Sequence, residues 1–257
     1  VECLEPATSY RYTVTLDDNS VEQGTFTTAP EDTRPFSFLV YGDNRSNPYA
    51  HAAVVATMRK TPGDFLLNTG DMVQDGTQTA DWRDFFTIER DLLRERCLFP
   101  SIGNHEIAQP FSNGTDNYRR YVHVAPGGPS TELDAVLRYG NVRFVLANSY
   151  EDWSGDARDW LDRELGRQRR EGPDDWLFVV MHWGPRSSGP HGDNELTAQA
   201  GIDALLRRHR VDLVISGHDH AYERGDDEGL HYLVTGGGGA PLYRRRSTRV
   251  MSRAFAS

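Results

Sequence analysis

Short apolar runs that each end at Asp, Asn or His recur along the chain. They are "FLVYGDNRSN", "FLLNTGDMVQ", "LFPSIGNHEI", "WLFVVMHWGP" and "VDLVISGHDH". Runs of this length, bounded by turn residues, predict buried strands. The longer segments between them, such as "TADWRDFFTIERDLLRER" and "GDARDWLDRELGRQRR", place apolar residues at the three- and four-residue spacing of helices. Alternation of strand and helix from Phe36 onward predicts an α/β domain.

Other segments predict further helices and strands of that domain, and the first thirty residues predict a separate β-hairpin. The runs "PYAHAAVVATMRK" and "ELTAQAGIDALLRRHR" predict helices, and "LDAVLRYGNVRFVLANS" predicts two strands joined at "YGN". Before residue 31, "YRYTVTL" and "VEQGTFTTAP" predict a β-hairpin with a turn at "DDNS". The segment "APEDTRP", with prolines around charges, then predicts a linker.

Composition narrows the class of protein and its partners. A chain of 257 residues, 37% hydrophobic and 26% charged, has the size and composition of one soluble core with a small appendage. Its net charge of −10 disfavours binding to nucleic acid or to an anionic membrane. Two cysteines, Cys3 and Cys97, allow one disulfide or two unrelated thiols, of which we favour the unpaired state.

The polar residues at the strand ends form one candidate metal site. Strand carboxyl ends meet at a common edge of an α/β sheet, so these side chains are expected to lie close together. Carboxylate, amide and imidazole donors suit zinc, manganese or iron, and six donors exceed the needs of one catalytic zinc. They suit two ions that share a carboxylate. The candidate ligands are Asp43, Asp71, Asn104, His182, His218 and His220.

Each motif also has an ordinary structural interpretation. A lone Gly-Asp after a strand is commonly only a turn, whereas two histidines flanking an Asp in "GHDH" rarely serve packing. The motifs "GD" (42–43), "GDMVQDG" (70–76), "GNHE" (103–106), "MH" (181–182) and "GHDH" (217–220) together resemble the calcineurin-like metallophosphoesterase signature. Their order and spacing are similar to those of the purple acid phosphatase branch.

The resemblance implies a fold and a domain organisation. The expected fold is α/β: a β-sandwich of two mixed sheets flanked by helices (α/β/β/α), with a dinuclear iron, zinc or manganese site. "LEPATSYRYTVTL" and "GTFTTAP" resemble the last strands of a fibronectin type III-like domain. This implies a fibronectin-like remnant over 1–30, a catalytic domain over 31–257, a secreted or periplasmic location, and a chain incompletely represented at both ends.

The resemblance also implies roles for the ligands. Asp71 is then the bridging carboxylate; Asn104, His182 and His218 complete one metal position, and Asp43 and His220 hold the other. His105 contacts the phosphate rather than a metal. Where purple phosphatases have a tyrosine, this chain has Gln74, which is a weak ligand or leaves its place to water. Without tyrosinate there is no charge-transfer band, so the protein is not expected to be purple.

Three residues are candidates for handling the substrate. Related enzymes commonly have Asp-x-His in the first motif, where this chain has Arg45. Arg45 is either a bidentate phosphate clamp or a salt bridge that braces a neighbouring loop, with Asp75 as a candidate partner. The loop "HWGPRSSGPHGDNE" places His191 and Glu195 at the spacing of substrate-covering residues in plant purple phosphatases. His191 is a candidate general acid, with a mobile surface histidine as the alternative.

Three functions remain open at this point. The first is a dinuclear phosphomonoesterase, in which a metal-bound hydroxide attacks phosphorus in line and His105 or His191 protonates the leaving group. The second is a phosphodiesterase or nucleotide hydrolase on the same site. The third is a degenerate, non-catalytic metal-binding domain, suggested by the changes at positions 45 and 74. A small phosphorylated substrate is the expected partner, and the sequence predicts no oligomeric state.

Overall fold

The computed structural model describes residues 3–107, 114–124, 127–128, 133–150, 153–248 and 252–257. Two β-sheets pack face to face, and helices cover the outer face of each. The predicted α/β class, with two sheets flanked by helices, is confirmed. Among the described residues, no helix combines the length and the hydropathy needed to cross a bilayer.

The chain begins with the predicted hairpin. Strands β1 (Ser9–Thr15) and β2 (Val21–Thr27) pair antiparallel. The backbone N–H of Thr25 donates to the carbonyl oxygen of Arg94 at 2.9 Å, and Arg94 also forms an ion pair with Glu22. These contacts attach the hairpin to the main domain. Its assignment to a fibronectin type III-like unit stays a prediction.

The smaller sheet carries the first motifs. It has three parallel strands: β3 (Phe38–Tyr41), β4 (Phe65–Asn68) and β5 (Cys97–Pro100). Helices α1 (Pro48–Met58) and α2 (Thr79–Leu93) cover its outer face. Asn47 caps α1 by accepting from the N–H of Ala50 at 3.2 Å. The sheet is parallel over the described strands, not mixed, because each of its strands is followed by a segment that returns the chain to the same end.

The larger sheet is mixed and carries the later motifs. Its order is β12-β10-β11-β9-β8-β7-β6. The strands are β6 (Ala135–Tyr139), β7 (Val142–Leu146), β8 (Trp176–Val180), β9 (Leu213–Ser216), β10 (Tyr222–Asp227), β11 (Leu230–Thr235) and β12 (Ser252–Ala256). Strands β7, β8, β9 and β11 are parallel neighbours. The predicted turn at "YGN" joins β6 to β7, with Gly140 at φ 57°.

The remaining helices differ from expectation at one point. They are α3 (Asn104–Ile107), α4 (Gly114–Tyr121), α5 (Asp156–Glu171), α6 (Glu195–Gln199) and α7 (Ile202–Arg208). The single helix predicted over 195–210 is two helices, because Gly201 takes the left-handed conformation (φ 69°) between them. A left-handed residue ends an α-helix, and glycine adopts that conformation without strain.

The core between the sheets is aromatic. The rings of Phe38 and Phe65 stack at 5.2 Å, and Phe144 meets Phe65 edge-on at 5.7 Å. Each buried aromatic side chain contributes about 1.5–3 kcal/mol. This packing holds the strand ends that carry the polar motifs. Cys3 and Cys97 are both free and exposed, which confirms the unpaired state.

Candidate metal centre

The predicted ligands meet at the carboxyl edge of the two sheets. Asp43, Asp71 and Asn104 follow β3, β4 and β5, while His182 follows β8 and both His218 and His220 follow β9. His182 Nε2 lies 3.4 Å from Asp71 Oδ1 and 3.2 Å from His218 Nδ1. One ligand atom each from Asp43, Asp71 and His182 lie within 4.8 Å of one another, and all three residues are buried.

Several of these residues have a strained backbone. Asp43, Asp71 and His218 take left-handed φ values of 57°, 55° and 68°. A non-glycine residue in this region costs of order 1–3 kcal/mol and persists where the surroundings impose it. Gly70 (φ 98°) permits the close approach, because a Cβ there would lie 2.8 Å from His182 Nδ1. The strain turns both carboxylates towards the histidines.

Backbone carbonyls set the orientation of two histidines. His182 Nδ1 lies 2.7 Å from the carbonyl oxygen of Thr69, and His220 Nδ1 lies 2.8 Å from that of Pro241. A carbonyl oxygen only accepts hydrogen bonds, so each Nδ1 carries the proton and donates it. In the neutral ring each Nε2 therefore keeps its lone pair, and it faces the centre. Metal-binding histidines are held in this way.

Two buried carboxylates dominate the electrostatics of the centre. Burial opposes protonation of His182, but the negative charges of Asp71 and Asp43 outweigh it and raise the pKa of His182 to about 9. Burial, with the added charge of Asp71, raises the pKa of Asp43 well above its usual range, although His182 opposes the shift. Within the described chain, Asp43 Oδ1 is buried without a hydrogen-bond partner. An orphaned carboxylate oxygen beside an imidazole fits a metal cation, which would displace the imidazole proton.

Asn104 and Tyr150 complete this side of the centre. The hydroxyl of Tyr150 donates to Asn104 Oδ1 at 2.8 Å and lies 3.5 Å from His218 Nδ1. The hydroxyl thus contacts both Asn104 and His218. The assignment of Asp71, Asn104, His182 and His218 to one metal position stays a prediction.

Arg45 occupies the other side. Its Nε donates to Asp71 Oδ2 at 3.1 Å, and its Nη2 lies 3.3 Å from His220 Nε2. Its Nη1 donates to Gln74 Oε1 at 3.4 Å. The salt-bridge partner is therefore Asp71 and not Asp75, whose carboxylate accepts from the Thr77 hydroxyl instead. Asp75 is near in sequence, but Asp71 lies under the guanidinium.

The predicted substrate residues lie at different distances from the ligands. His105 Nε2 is 3.8 Å from Asp71 Oδ2, and its Nδ1 donates to the backbone oxygen of Gln74. The ring of His191 packs 4.1 Å from that of His218 on the solvent side. Glu195 is exposed at the first residue of α6, and its placement over a substrate stays a prediction.

The sequence analysis assigned no role to several residues that shape the site. Glu106, the last residue of "GNHE", accepts from the N–H groups of Asp71 (2.8 Å), Val73 (3.1 Å) and Gly103 (2.8 Å) and so joins two motif loops. Its place in the motif was the available signal. Tyr243 stacks on His220 at 4.0 Å. It lies in a segment without regular structure, and nothing in the sequence pattern marks it.

The middle Asp of "GHDH" positions the His191 loop. Asp219 accepts from the N–H of His191 at 3.0 Å through Oδ1, and from the hydroxyl of Ser187 through Oδ2. The carboxylate therefore holds both ends of the loop beside the two flanking histidines.

Comparison with known proteins agrees with this geometry. The family model for calcineurin-like phosphoesterase matches residues 36–222. An uncharacterised protein of Mycobacterium tuberculosis is 31% identical over 266 residues, which cover 86% of this chain and 49% of that protein. Purple acid phosphatase 21 of Arabidopsis thaliana is 28% identical over 254 residues, which cover 92% of this chain and 56% of that protein.

A solved structure shares the fold. Purple acid phosphatase PPD1 from seeds of yellow lupin (Lupinus luteus) superposes with a TM-score of 0.77 at 18% identity, over 98% of this chain and 54% of that one. The chain thus spans about half the length of the relatives it matches. With the family model covering most of its length, the chain belongs to the calcineurin-like phosphoesterase family.

Proposed function

We propose that this chain is a metal-dependent phosphatase that hydrolyses phosphate monoesters. The observation that carries the proposal is the meeting of Asp43, Asp71 and His182, whose ligand atoms lie within 4.8 Å of one another at a strained strand edge. Buried carboxylates with too little neighbouring positive charge hold metal cations. Family membership supports the reaction class.

Particular residues would hold the metal. Asp71, Asn104, His182 and His218 would hold one ion, and Asp43 and His220 would hold a second ion that shares Asp71. This dinuclear form of the site is the one that the sequence resemblance predicts. Bound metal supplies charge neutralisation at the phosphoryl group and activates water for in-line attack.

Two of the chain's own side chains would bind and orient the phosphate. The guanidinium of Arg45 and the imidazole of His105 both lie beside Asp71 Oδ2, at 3.1 and 3.8 Å. A monoester dianion has more charge to place than a diester, so this pair favours the monoester. A cavity of 270 Å³ adjoins Arg45 and Gln74 and has room for part of a leaving group.

His191 would donate the proton to the leaving oxygen. It is exposed, lies on a loop that Asp219 anchors, and packs against the candidate ligand His218. Donation at this point keeps the leaving alkoxide from departing as an anion. Glu195 would support the same loop. A secreted or periplasmic location is proposed on the resemblance alone.

Hydrolysis of paired chromogenic substrates tests the function. The chain, reconstituted with Mn²⁺, Zn²⁺ or Fe, is assayed on a nitrophenyl phosphate monoester and on the matching diester. We expect a higher kcat/KM for the monoester. A higher value for the diester would replace the proposal with a phosphodiesterase, and no turnover with metal bound would indicate a non-catalytic domain.

A matched pair of variants links turnover to the centre. His182→Ala removes a candidate ligand, whereas His231→Ala removes an exposed histidine on β11 that pairs with Asp226. Turnover should be lost in the first variant and kept in the second. Equal turnover in both would place the chemistry elsewhere.

A further inference from the structure

The guanidinium of Arg45 lies among the donors of one metal position. The resemblance assigns that position to Asp43, Asp71 and His220, with Gln74 as a weak ligand. Arg45 contacts Asp71 Oδ2 through Nε, His220 Nε2 through Nη2, and Gln74 Oε1 through Nη1, at 3.1, 3.3 and 3.4 Å. The side chain is 15% exposed, so it is part of the interior of the centre.

These contacts use the electron pairs that a metal would need. His220 Nδ1 donates to the carbonyl oxygen of Pro241, which leaves Nε2 as the acceptor of the ring. Arg45 Nη2 donates to that atom. A guanidinium stays protonated and offers no lone pair of its own to a metal. Arg45 in this place and an ion on His220 therefore exclude each other.

On the opposite side of Asp71, no arginine or lysine among the described residues contacts the candidate donors. His182 Nε2 faces Asp71 Oδ1 at 3.4 Å and Asp43 Oδ1 at 4.0 Å. Within the described chain, Asp43 Oδ1 has no hydrogen-bond partner. Asp43 Oδ1 lies 3.6 Å from His220 Nε2 as well, so this oxygen is within reach of both sides, and its ligand cluster within 4.8 Å is the one with Asp71 and His182.

We infer that the centre holds a single metal ion on Asp43, Asp71 and His182, with Asn104 and His218, and that the guanidinium of Arg45 takes the place of the second ion. The inference rests on the proposed metal-dependent function and departs from the dinuclear form of it. A bound phosphate would still face one positive charge on each side of Asp71, the metal ion on one side and the guanidinium of Arg45 on the other. The Arg45 side offers directed N–H donors in place of a Lewis acid.

Metal stoichiometry is the first test. The wild-type chain and Arg45→His are saturated with Mn²⁺, freed of excess metal, and measured by native mass spectrometry and elemental analysis. We expect one ion per chain in the wild type and two in Arg45→His, which places an imidazole where the guanidinium was. Arg83→His is the matched control, because Arg83 is an exposed residue of α2, and it should bind one ion.

Electron paramagnetic resonance of the same samples gives an independent readout. The wild type should show magnetically isolated Mn²⁺, and Arg45→His should show an exchange-coupled pair. If Arg45→His fails to fold, Arg45→Gln removes the charge with less change in shape and should also admit a second ion. Two ions with a coupled spectrum in the wild type, or one ion in both Arg45 variants, would overturn the inference.

Two histidine variants locate the single ion. His182→Ala should weaken the Kd for Mn²⁺ on the order of a hundredfold or more, since loss of even an indirect contact to a metal costs about ten- to a hundredfold. His220→Ala should change the Kd by less than about threefold, because His220 accepts a hydrogen bond from Arg45 instead of binding the ion. Equal losses in both variants would contradict the inference.

Failure of the proposed function has a different signature. A wild-type chain that binds no ion and hydrolyses no phosphate ester would overturn both proposals. A wild-type chain that binds two ions and hydrolyses the monoester would overturn only the single-ion inference.

Discussion

The amino end of the larger sheet and the carboxyl edge shared by the two sheets treat charge in opposite ways. At the amino end of β7, Arg143 Nε donates to Asp175 Oδ2 at 2.8 Å, and Nη1 donates to Gln168 Oε1 at 2.8 Å and to Glu171 Oε2 at 3.2 Å. This buried arginine has a polar partner on each of these nitrogens. Removal of either partner from such a network costs stability.

At the carboxyl end the same residue types are left under-paired. Asp43 keeps an orphaned oxygen, and its backbone, like that of Asp71, is left-handed. Arg45 contacts one of the two buried carboxylates, Asp71, and one histidine, His220. The comparison teaches that the fold is stabilised at one edge and strained at the other, and that the strained edge is the place for a ligand.

The largest expected effect is loss of the metal from the carboxyl edge. Asp71→Asn should abolish turnover, by about a thousandfold or more, because an amide has no charge with which to neutralise the ion. The metal-free variant should melt below the wild type, because it loses the charged partner of Arg45 and His182, and its Tm should no longer rise on addition of metal. Calorimetry and elemental analysis check this, with the exposed Asp91→Asn as control.

The amino edge should respond in the opposite way. Arg143→Met leaves Asp175 without its closest partner and should lower the free energy of unfolding by about 3 kcal/mol, on the order of a hundredfold in the folding equilibrium. Metal content should not change. Chemical denaturation measures the loss, and Arg83→Met on the surface should stay within about 0.5 kcal/mol of the wild type. Loss of metal from Arg143→Met would break the comparison.

The pH dependence of stability gives a further test of the carboxyl edge. His182 has a pKa of about 9 in the folded metal-free chain, above the unfolded value of about 6.5. Its proton therefore stabilises the metal-free fold fully below about pH 6.5, and this stability is lost as the pH rises through about 9.

Metal affinity should follow the opposite course. A metal must displace the proton of His182, so the Kd should fall by up to about tenfold per pH unit below about pH 9 and level off above it. Calorimetric titration at two pH values below that limit measures the change. An unchanged Kd would show that the metal does not bind His182.

The smallest effect is expected from the residue that orients Asn104. Tyr150→Phe removes the hydroxyl that donates to Asn104 Oδ1 and should weaken metal binding by about fivefold, the value of one neutral hydrogen bond. The Tm of the metal-free chain should change little. A loss as large as that of His182→Ala would mean that the hydroxyl is itself a ligand.

Much of the centre could be predicted because its determinants are local. Each candidate ligand directly follows an apolar run, and the carboxyl ends of parallel strands meet at one edge of a sheet. The convergence of Asp43, Asp71, Asn104, His182 and His218 therefore does not depend on the conformation of the connecting loops. The hairpin before residue 31 and helices α1, α2 and α5 follow from periodicity over a few turns. The break at Gly201 does not, because a helix pattern tolerates glycine until packing selects its conformation.

The amino-acid sequence by itself determined the candidate ligands and the family, through motifs at the ends of single strands. Only the tertiary structure decided the partner of Arg45. Its contact with His220 joins residues 175 positions apart, and no local pattern records a distance across two sheets. The stacking of Tyr243 on His220 has the same origin. Such contacts depend on how the two sheets pack face to face, which side-chain volumes in the shared core determine cooperatively.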